Sequence, residues 1–320
     1  MPMSRRRLLQ SSLAAAVAGY AAAQWGPSEG SAADFTTPPR DAEGLTHRLD
    51  GQVLLVRFNN QPLTGYRAHG TQKYPYFFPL TGLESGLSVT TESGLPYPHQ
   101  RSLWLGCEPL NGGDYWSDGT LATGQVKSAG ITVEQSGDSS LVIHDSCEWI
   151  RPEAPTPLRD LRRFTLEVVN ETLWTLDADL HLTALEDIEI KNAKHSFYAI
   201  RAATDISPMY GGVLSNSEGG SGAAGTYGKQ ARWCGYHGPR KRREEVTEGI
   251  TVMAHPENAL APLWFTREYG HLSPSPFNFL ESPWRLAAGE QLRLRYRVAV
   301  HSGSPEKAGM DACYRSWVEC

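Results

Sequence analysis

Apolar and polar residues alternate along much of this chain. Leu176, Ala178, Leu180 and Leu182 alternate with Asp177, Asp179, His181 and Thr183. Near the end, Leu292, Leu294, Tyr296 and Val298 alternate with Arg293, Arg295 and Arg297. A period of two marks strands with one face buried and one wet. Shorter runs predict further strands: Gln52-Val53-Leu54-Leu55-Val56, Gly130-Ile131-Thr132-Val133, Leu141-Val142-Ile143 and Ile250-Thr251-Val252-Met253. The 31 glycines and 21 prolines supply turns between them. Helical periodicity is confined to the tail, around residues 306–318. The pattern predicts an all-β protein, a large two-sheet antiparallel β-sandwich, spanning residues 49–303. A C-terminal tail, 304–320, follows it.

The first residues read differently. Ser4-Arg5-Arg6-Arg7-Leu8-Leu9-Gln10 precedes an apolar stretch, 13–23, that ends in Ala21-Ala22-Ala23. A basic segment, a short apolar segment and a small-residue cleavage site make residues 1–23 a twin-arginine-type signal peptide. The mature chain is then expected in the periplasm or outside the cell. Residues 24–48, rich in Gly, Ser, Ala and Pro, read as a linker. No later segment is long and apolar enough to span a bilayer, so no membrane partner is expected after cleavage.

Cleavage removes three arginines and no acids, taking the net charge from −5 to about −8. Such a chain is a poor match for nucleic acid. Its one basic run, Pro239-Arg240-Lys241-Arg242-Arg243, is followed at once by Glu244 and Glu245 and reads as a solvated loop. Export permits disulfides among the five cysteines, Cys107, Cys147, Cys234, Cys313 and Cys320. The odd count leaves one thiol over, and the spacing of Cys313 and Cys320 suits a short loop without fixing the connectivity. Cys234-Gly235-Tyr236-His237 lacks the second ligand pair that a zinc site needs. The Gly-rich stretch 211–228 holds Gly220, Gly222 and Gly225 at dinucleotide-motif spacing, but no strand-to-helix context surrounds them, so that reading is dropped.

Residues 74–116 are the most distinctive part of the chain. They contain Tyr74-Pro75-Tyr76-Phe77-Phe78-Pro79, then Pro98-His99-Gln100-Arg101-Ser102-Leu103-Trp104, then Asp114-Tyr115-Trp116. Flat apolar groups interleaved with directional polar ones suit a small-molecule pocket. Sugars are held that way, ring face on an aromatic and hydroxyls on Arg, His and carboxylates.

These blocks, with Gly86-Leu87-Ser88-Val89-Thr90, Lys194-His195-Ser196-Phe197, Arg201, Tyr236-His237-Gly238, His255-Pro256, Pro262-Leu263-Trp264, Tyr269-Gly270 and Gly289-Glu290, resemble the PmoA-like domain family over roughly residues 48–303. That family consists mostly of exported bacterial proteins of unknown function, and its name borrows from methane oxygenase. A membrane oxygenase subunit needs several spanning helices, and none is present here. The resemblance implies instead a galactose-mutarotase-like supersandwich in a carbohydrate-degradation setting, often beside sugar oxidoreductases. This chain departs from the family where the usual pattern resembles D-H-P-H-H-R-G-L-W. Here Pro96-Tyr97-Pro98-His99-Gln100-Arg101-Ser102-Leu103-Trp104 keeps only the middle histidine, which speaks against a metal held by that cluster.

Acid–base chemistry on a sugar needs a proton donor and an acceptor about one bond, and histidine titrates near neutrality. The expected assignments are His195 as general acid, Glu281 as general base, and His99 with Arg101 on substrate oxygens. Trp104, Trp233 and Trp264 are the expected ring platforms. Lys194 and Arg201 would neutralise a developing oxyanion. The parallel with mutarotase-like enzymes, two mid-chain histidines and a glutamate before a late strand, is one of fold. His255 reads as a turn cap, and His47 and His301 as residues of the domain edge. The ligand expected is a small sugar or glycoside, undergoing epimerisation, elimination or hydrolysis (of a 3-keto glycoside), with no cofactor. The competing readings are a non-catalytic carbohydrate-binding protein and a metal enzyme using His99, His195 and His255. The oligomeric state is left open.

Overall fold

A computed structural model describes residues 42–117, 119–275 and 277–319. Residues 1–23, expected to be a signal peptide, most of the expected linker and Cys320 lie outside the described residues. In chain order the first strands are β1 (Leu45–Asp50), β2 (Val53–Phe58), β3 (Gln61–Arg67), β4 (Tyr76–Leu80), β5 (Leu103–Glu108) and β6 (Gln125–Ser136). Next come β7 (Ser140–Ile150), β8 (Leu158–Asn170), β9 (Leu173–Ala184), β10 (Ile188–Ile190), β11 (His195–Arg201) and β12 (Val213–Asn216). The last are β13 (Trp233–Arg240), β14 (Arg243–Ala254), β15 (Trp264–Thr266), β16 (His271–Pro274), β17 (Trp284–Leu286) and β18 (Gln291–Ser302). Two helices accompany them, the single-turn α1 (Gly222–Thr226) and α2 (Met310–Val318) in the tail.

The strands form two eight-stranded antiparallel sheets, the all-β sandwich that the alternation predicts. One runs β1-β2-β3-β4-β5-β11-β16-β15, the other β12-β13-β14-β18-β9-β8-β7-β6. β10 and β17 make a small separate ribbon. The two strongest alternating segments became β9 and β18, paired directly through Leu180 and Leu294 in the second sheet. The first sheet starts at Leu45, four residues inside the stretch read as linker. Among the described residues no helix is long and apolar enough to cross a membrane.

Leu, Val, Ile and aromatic side chains from both sheets share one continuous core. Tyr198 of β11 stacks on Tyr296 of β18 with centroids 4.7 Å apart and planes 6° apart, tying sheet to sheet. Two buried carboxylates of the second sheet gather several partners. Arg162 grips Asp160 at 2.6 and 3.0 Å, and the Trp149 indole N–H also donates to Asp160. Tyr66 and Ser128 donate to Asp145. Removing either partner of Asp160–Arg162 leaves a bare buried charge, which costs about 3–5 kcal/mol. Cys107, Cys147 and Cys234 are buried free thiols and Cys313 is a half-buried one; the suggested Cys313–Cys320 pairing lies outside the described residues.

His301, expected to be a bland edge residue, sits in the interior with its Nε2 3.0 Å from the Thr251 hydroxyl. Burial, with His237 nearby, pulls its pKa down from 6.5 to about 4. The unfolded chain therefore takes up a proton below pH 6.5 that the folded chain refuses until about pH 4. Stability falls as the pH drops through that window and levels off beneath it, by up to about 3 kcal/mol from this residue alone. Denaturant midpoints at pH 7.5 and 4.5 are expected to differ less in His301→Gln than in the parent; equal slopes would refute the assignment.

Candidate functional site

Three neighbouring strands of the first sheet, β5, β11 and β16, bring together residues that are distant in sequence. Tyr198 points into the core, so His195 and Arg201, each an odd number of positions away, lie on the opposite face. Direct pairing puts Glu108 opposite His195, Trp104 opposite Ala199 and His271 opposite Arg201. Directly opposed residues share a face and touch.

At the mouth of this face the His195 Nδ1–H donates to Glu108 Oε2 at 2.7 Å. Ser117 Oγ donates to the same carboxylate oxygen at 3.0 Å. The side chains keep 26% and 34% of their exposure, so the pair is open to solvent. Holding the proton on Nδ1 leaves Nε2 of the neutral ring as an acceptor. The imidazole also stacks flat on Trp116, 5.5 Å between centroids and 11° between planes. A local turn sets that indole: the Asp114 carboxylate accepts from the backbone N–H of Trp116 and Ser117. Gly106 makes room for it, since a Cβ there would lie 2.4 Å from the Tyr115 carbonyl oxygen.

Deeper in, His271 is 1% exposed and ringed by Trp104, Trp116 and Phe265 at 5.8, 6.0 and 5.4 Å. Neither of its ring nitrogens has a partner, nor do Trp104 Nε1, Trp116 Nε1 and Arg201 Nε. Buried polar groups are normally satisfied, so a cluster of nitrogens without a partner in the protein itself stands out. Burial drives the His271 pKa well below its ordinary 6.5, with the positive fields of Arg201, His195, Arg267 and His99 adding to it. The ring is neutral. Arg201 donates through Nη1 to Gln100 Oε1 (2.7 Å) and through Nη2 to the Leu95 carbonyl (3.0 Å), and stacks 4.4 Å from the Tyr269 centroid.

His195, His99, Arg201 and Trp104 thus gather around His271. His99 is half-buried on the loop before β5, its ring edge-on to Tyr97 and its carbonyl accepting from the Tyr74 hydroxyl. Arg101 lines an adjoining cavity of about 310 Å³ with Lys73, Tyr74 and Tyr76. Other expectations need correction. Glu281 is exposed on the connection between β16 and β17, and the carboxylate on His195 is Glu108 instead. Lys194 is also exposed, one residue out of phase with His195. The three tryptophans offer no open ring face. Trp104 is packed between Tyr74 and Trp116, and Trp264 is fully buried with its N–H on the Ala231 carbonyl. Trp233 belongs to a separate cluster under α2, its N–H on Asp311. Large aromatic rings in a sandwich bury area before they serve a ligand. His255 packs edge-on against Trp317 of α2, and its Nδ1 accepts from the Glu257 N–H as a turn cap does. Among the described residues no three His, Cys, Asp or Glu side chains converge as metal ligands, so His99, His195 and His255 form no metal set.

Glu108 and His271 are the residues that sequence reasoning missed; Trp116 was noted only as part of the aromatic block 74–116. Glu108 closes the apolar run of β5, and a carboxylate ending a buried strand was the one signal for it. His271 stood in an unremarkable short segment.

The fold and the site define a two-sheet sandwich with a solvent-reached histidine–carboxylate pair beside buried indole, imidazole and guanidinium nitrogens. The chain belongs to the family described as "Family of unknown function (DUF6807)", whose model matches residues 53–315. That family model carries no methane-oxygenase name. No curated protein matches the chain. Solved structures resemble it loosely. One is a candidate aldose 1-epimerase from Klebsiella pneumoniae, with TM-score 0.42, 10% identity, and 84% of this chain and 83% of that one covered. Another is a galactose mutarotase related enzyme from Lactobacillus acidophilus, with TM-score 0.32, 8% identity and coverage of 81% and 97%. A polysaccharide lyase matches at TM-score 0.31 and 10% identity, over 82% of this chain but 33% of its own length.

Because His271 is held neutral, its ring resonances should stay fixed in a titration from pH 8 to 6, where a free histidine half-titrates. Movement of those resonances through pH 6.5 would show that the pocket is wet and the assignment wrong.

Proposed function

We propose that this chain is an exported carbohydrate-active enzyme that carries out acid–base chemistry on a sugar or an oxidised (3-keto) glycoside. The observation that carries the reading is the His195–Glu108 pair. It is open to solvent, fixed in one tautomer, and set beside buried N–H groups that lack partners. His195 Nε2 takes a proton from the substrate and returns it. Glu108 orients the ring and stabilises its protonated form.

On a 3-keto glycoside the ketone acidifies the neighbouring C2–H. His195 removes that proton, and the electron pair moves onto the ketone oxygen as an enolate. Trp104 and Trp116 carry the free N–H groups that such an oxygen needs. Collapse of the enolate forms the C1–C2 double bond and breaks the C1–O bond, and the departing alkoxide takes the proton from His195. In epimerisation at C1 of a free sugar, His195 takes the O1 proton as the C1–O5 bond breaks and gives it to O5; rotation about C1–C2 and the reverse steps close the ring on the other face. In this reading one histidine acts in both directions, so the exposed Glu281 is not required. The twin-arginine-type signal would deliver the enzyme to the periplasm or the medium, where free sugars and glycosides are the substrates at hand.

An NMR time course of glucose anomers, a glucoside and its 3-keto form, with and without the purified protein, tests this. Turnover is expected, falling by about 10²–10⁴ in His195→Ala and by a smaller factor in Glu108→Gln. Undiminished turnover in His195→Ala would sink the mechanism. Absence of turnover, with sugar line broadening by both proteins, would instead support a carbohydrate-binding protein.

A further inference from the structure

The molecule buries three arginines among its described residues, Arg162, Arg201 and Arg240, each at most 3% exposed. Arg162 is paired with Asp160, and Arg240 with Asp205 and Glu248. Among the described residues no carboxylate pairs with Arg201. Its fork is met by two neutral oxygens, Gln100 Oε1 and the Leu95 carbonyl, and its flat face by Tyr269. A guanidinium taken out of water without a counter-charge is costly, and neutral acceptors recover only part of that cost. Nη1 and Nη2 are also two of the donors with which arginine grips a carboxylate in parallel, and here each holds one separate neutral oxygen.

Those oxygens come from a strap of irregular chain, residues 91–102, laid across the guanidinium. A Cβ at Gly94 would stand 3.2 Å from Arg201 Nε and Nη2, so the strap lies directly on the charge. Leu95 is 84% exposed and Tyr97 41%, so lifting this part of the strap uncovers little apolar surface.

Resting on the sugar reading above, we propose that Arg201 anchors a carboxylate of the substrate: the site takes a sugar acid, a hexuronate or its glycoside. Leu95 and Gln100 hold the two nitrogens that the carboxylate oxygens take over on binding. One carboxylate charge matches the single charge of the Arg201 guanidinium. The neutral His271 opposite Arg201, with both ring nitrogens free, can donate to the same group without adding charge.

Calorimetry on the full protein at fixed ionic strength decides the matter, using methyl glucuronide, its methyl ester and benzoate as probes. The uronide is expected to bind at least about tenfold more tightly than the ester, since a charged pair outmatches a neutral one. Gln100→Glu supplies an internal carboxylate to Arg201. It should raise the melting temperature and abolish the preference for the acid. A strap-fastening role alone would raise the melting temperature and leave the acid-to-ester ratio unmoved. Equal binding of acid and ester overturns the carboxylate anchor but leaves the sugar reading standing. Benzoate binding as tightly as the uronide overturns the sugar reading and the substrate class with it. No binding of any probe overturns both.

Discussion

The register of β11 between β5 and β16 is the constraint on which the site depends. Side chains alternate across a strand, so a slip of one residue would turn His195 and Arg201 inward and bring Ser196 and Ile200 out. Several contacts forbid that slip. Tyr198 is locked in its stack with Tyr296 of the other sheet. Ser273 Oγ of β16 donates to the carbonyls of both Ser196 and Tyr198, pinning the neighbouring strand in place. The Arg201 N–H donates to the Ser102 carbonyl just before β5. Core packing on one face thereby fixes what the other face presents.

That other face carries tightly packed rings and few paired polar atoms. In the core proper, the indole N–H groups of Trp149, Trp174 and Trp264 each find an oxygen. Those of Trp104 and Trp116 do not, and they sit beside His271 and Arg201, which have unpartnered nitrogens too. Scattered orphans of this kind would be a defect of packing. Others are spread through the interior, but five of these nitrogens fall close together beside the open histidine–carboxylate pair, and the proposed function draws on that group. The low dielectric that makes them expensive when empty makes them effective when filled.

Two residues of the strap over Arg201, Gln100 and Tyr97, have a physical role in this frame. Gln100 accepts from the Arg201 guanidinium, a task for its amide oxygen that a protonated imidazole could not perform. Tyr97 lies against Tyr269, with centroids 5.2 Å apart, and Tyr269 in turn covers the Arg201 face. Both residues therefore act on the surroundings of Arg201.

By itself the sequence determined the architecture. Alternation over residues 176–182 and 292–298 reflects a local steric fact, that successive side chains of a strand point to opposite faces, and β9 and β18 follow from it. His195, His99 and Arg201 were legible for a similar reason, as polar side chains inside aromatic or apolar runs. Which carboxylate serves His195 was decided only by the tertiary structure. Glu108 and Glu281 are equally acidic on paper, and 87 residues separate Glu108 from its histidine. Burial decided the tryptophans in the same way: Trp104, Trp233 and Trp264 look alike as a list of rings, yet each fills a different part of the packed interior. His271 shows the limit most clearly. Its neutrality and its unpartnered nitrogens come entirely from neighbours supplied by other strands and loops, and local pattern carries no record of such long-range company.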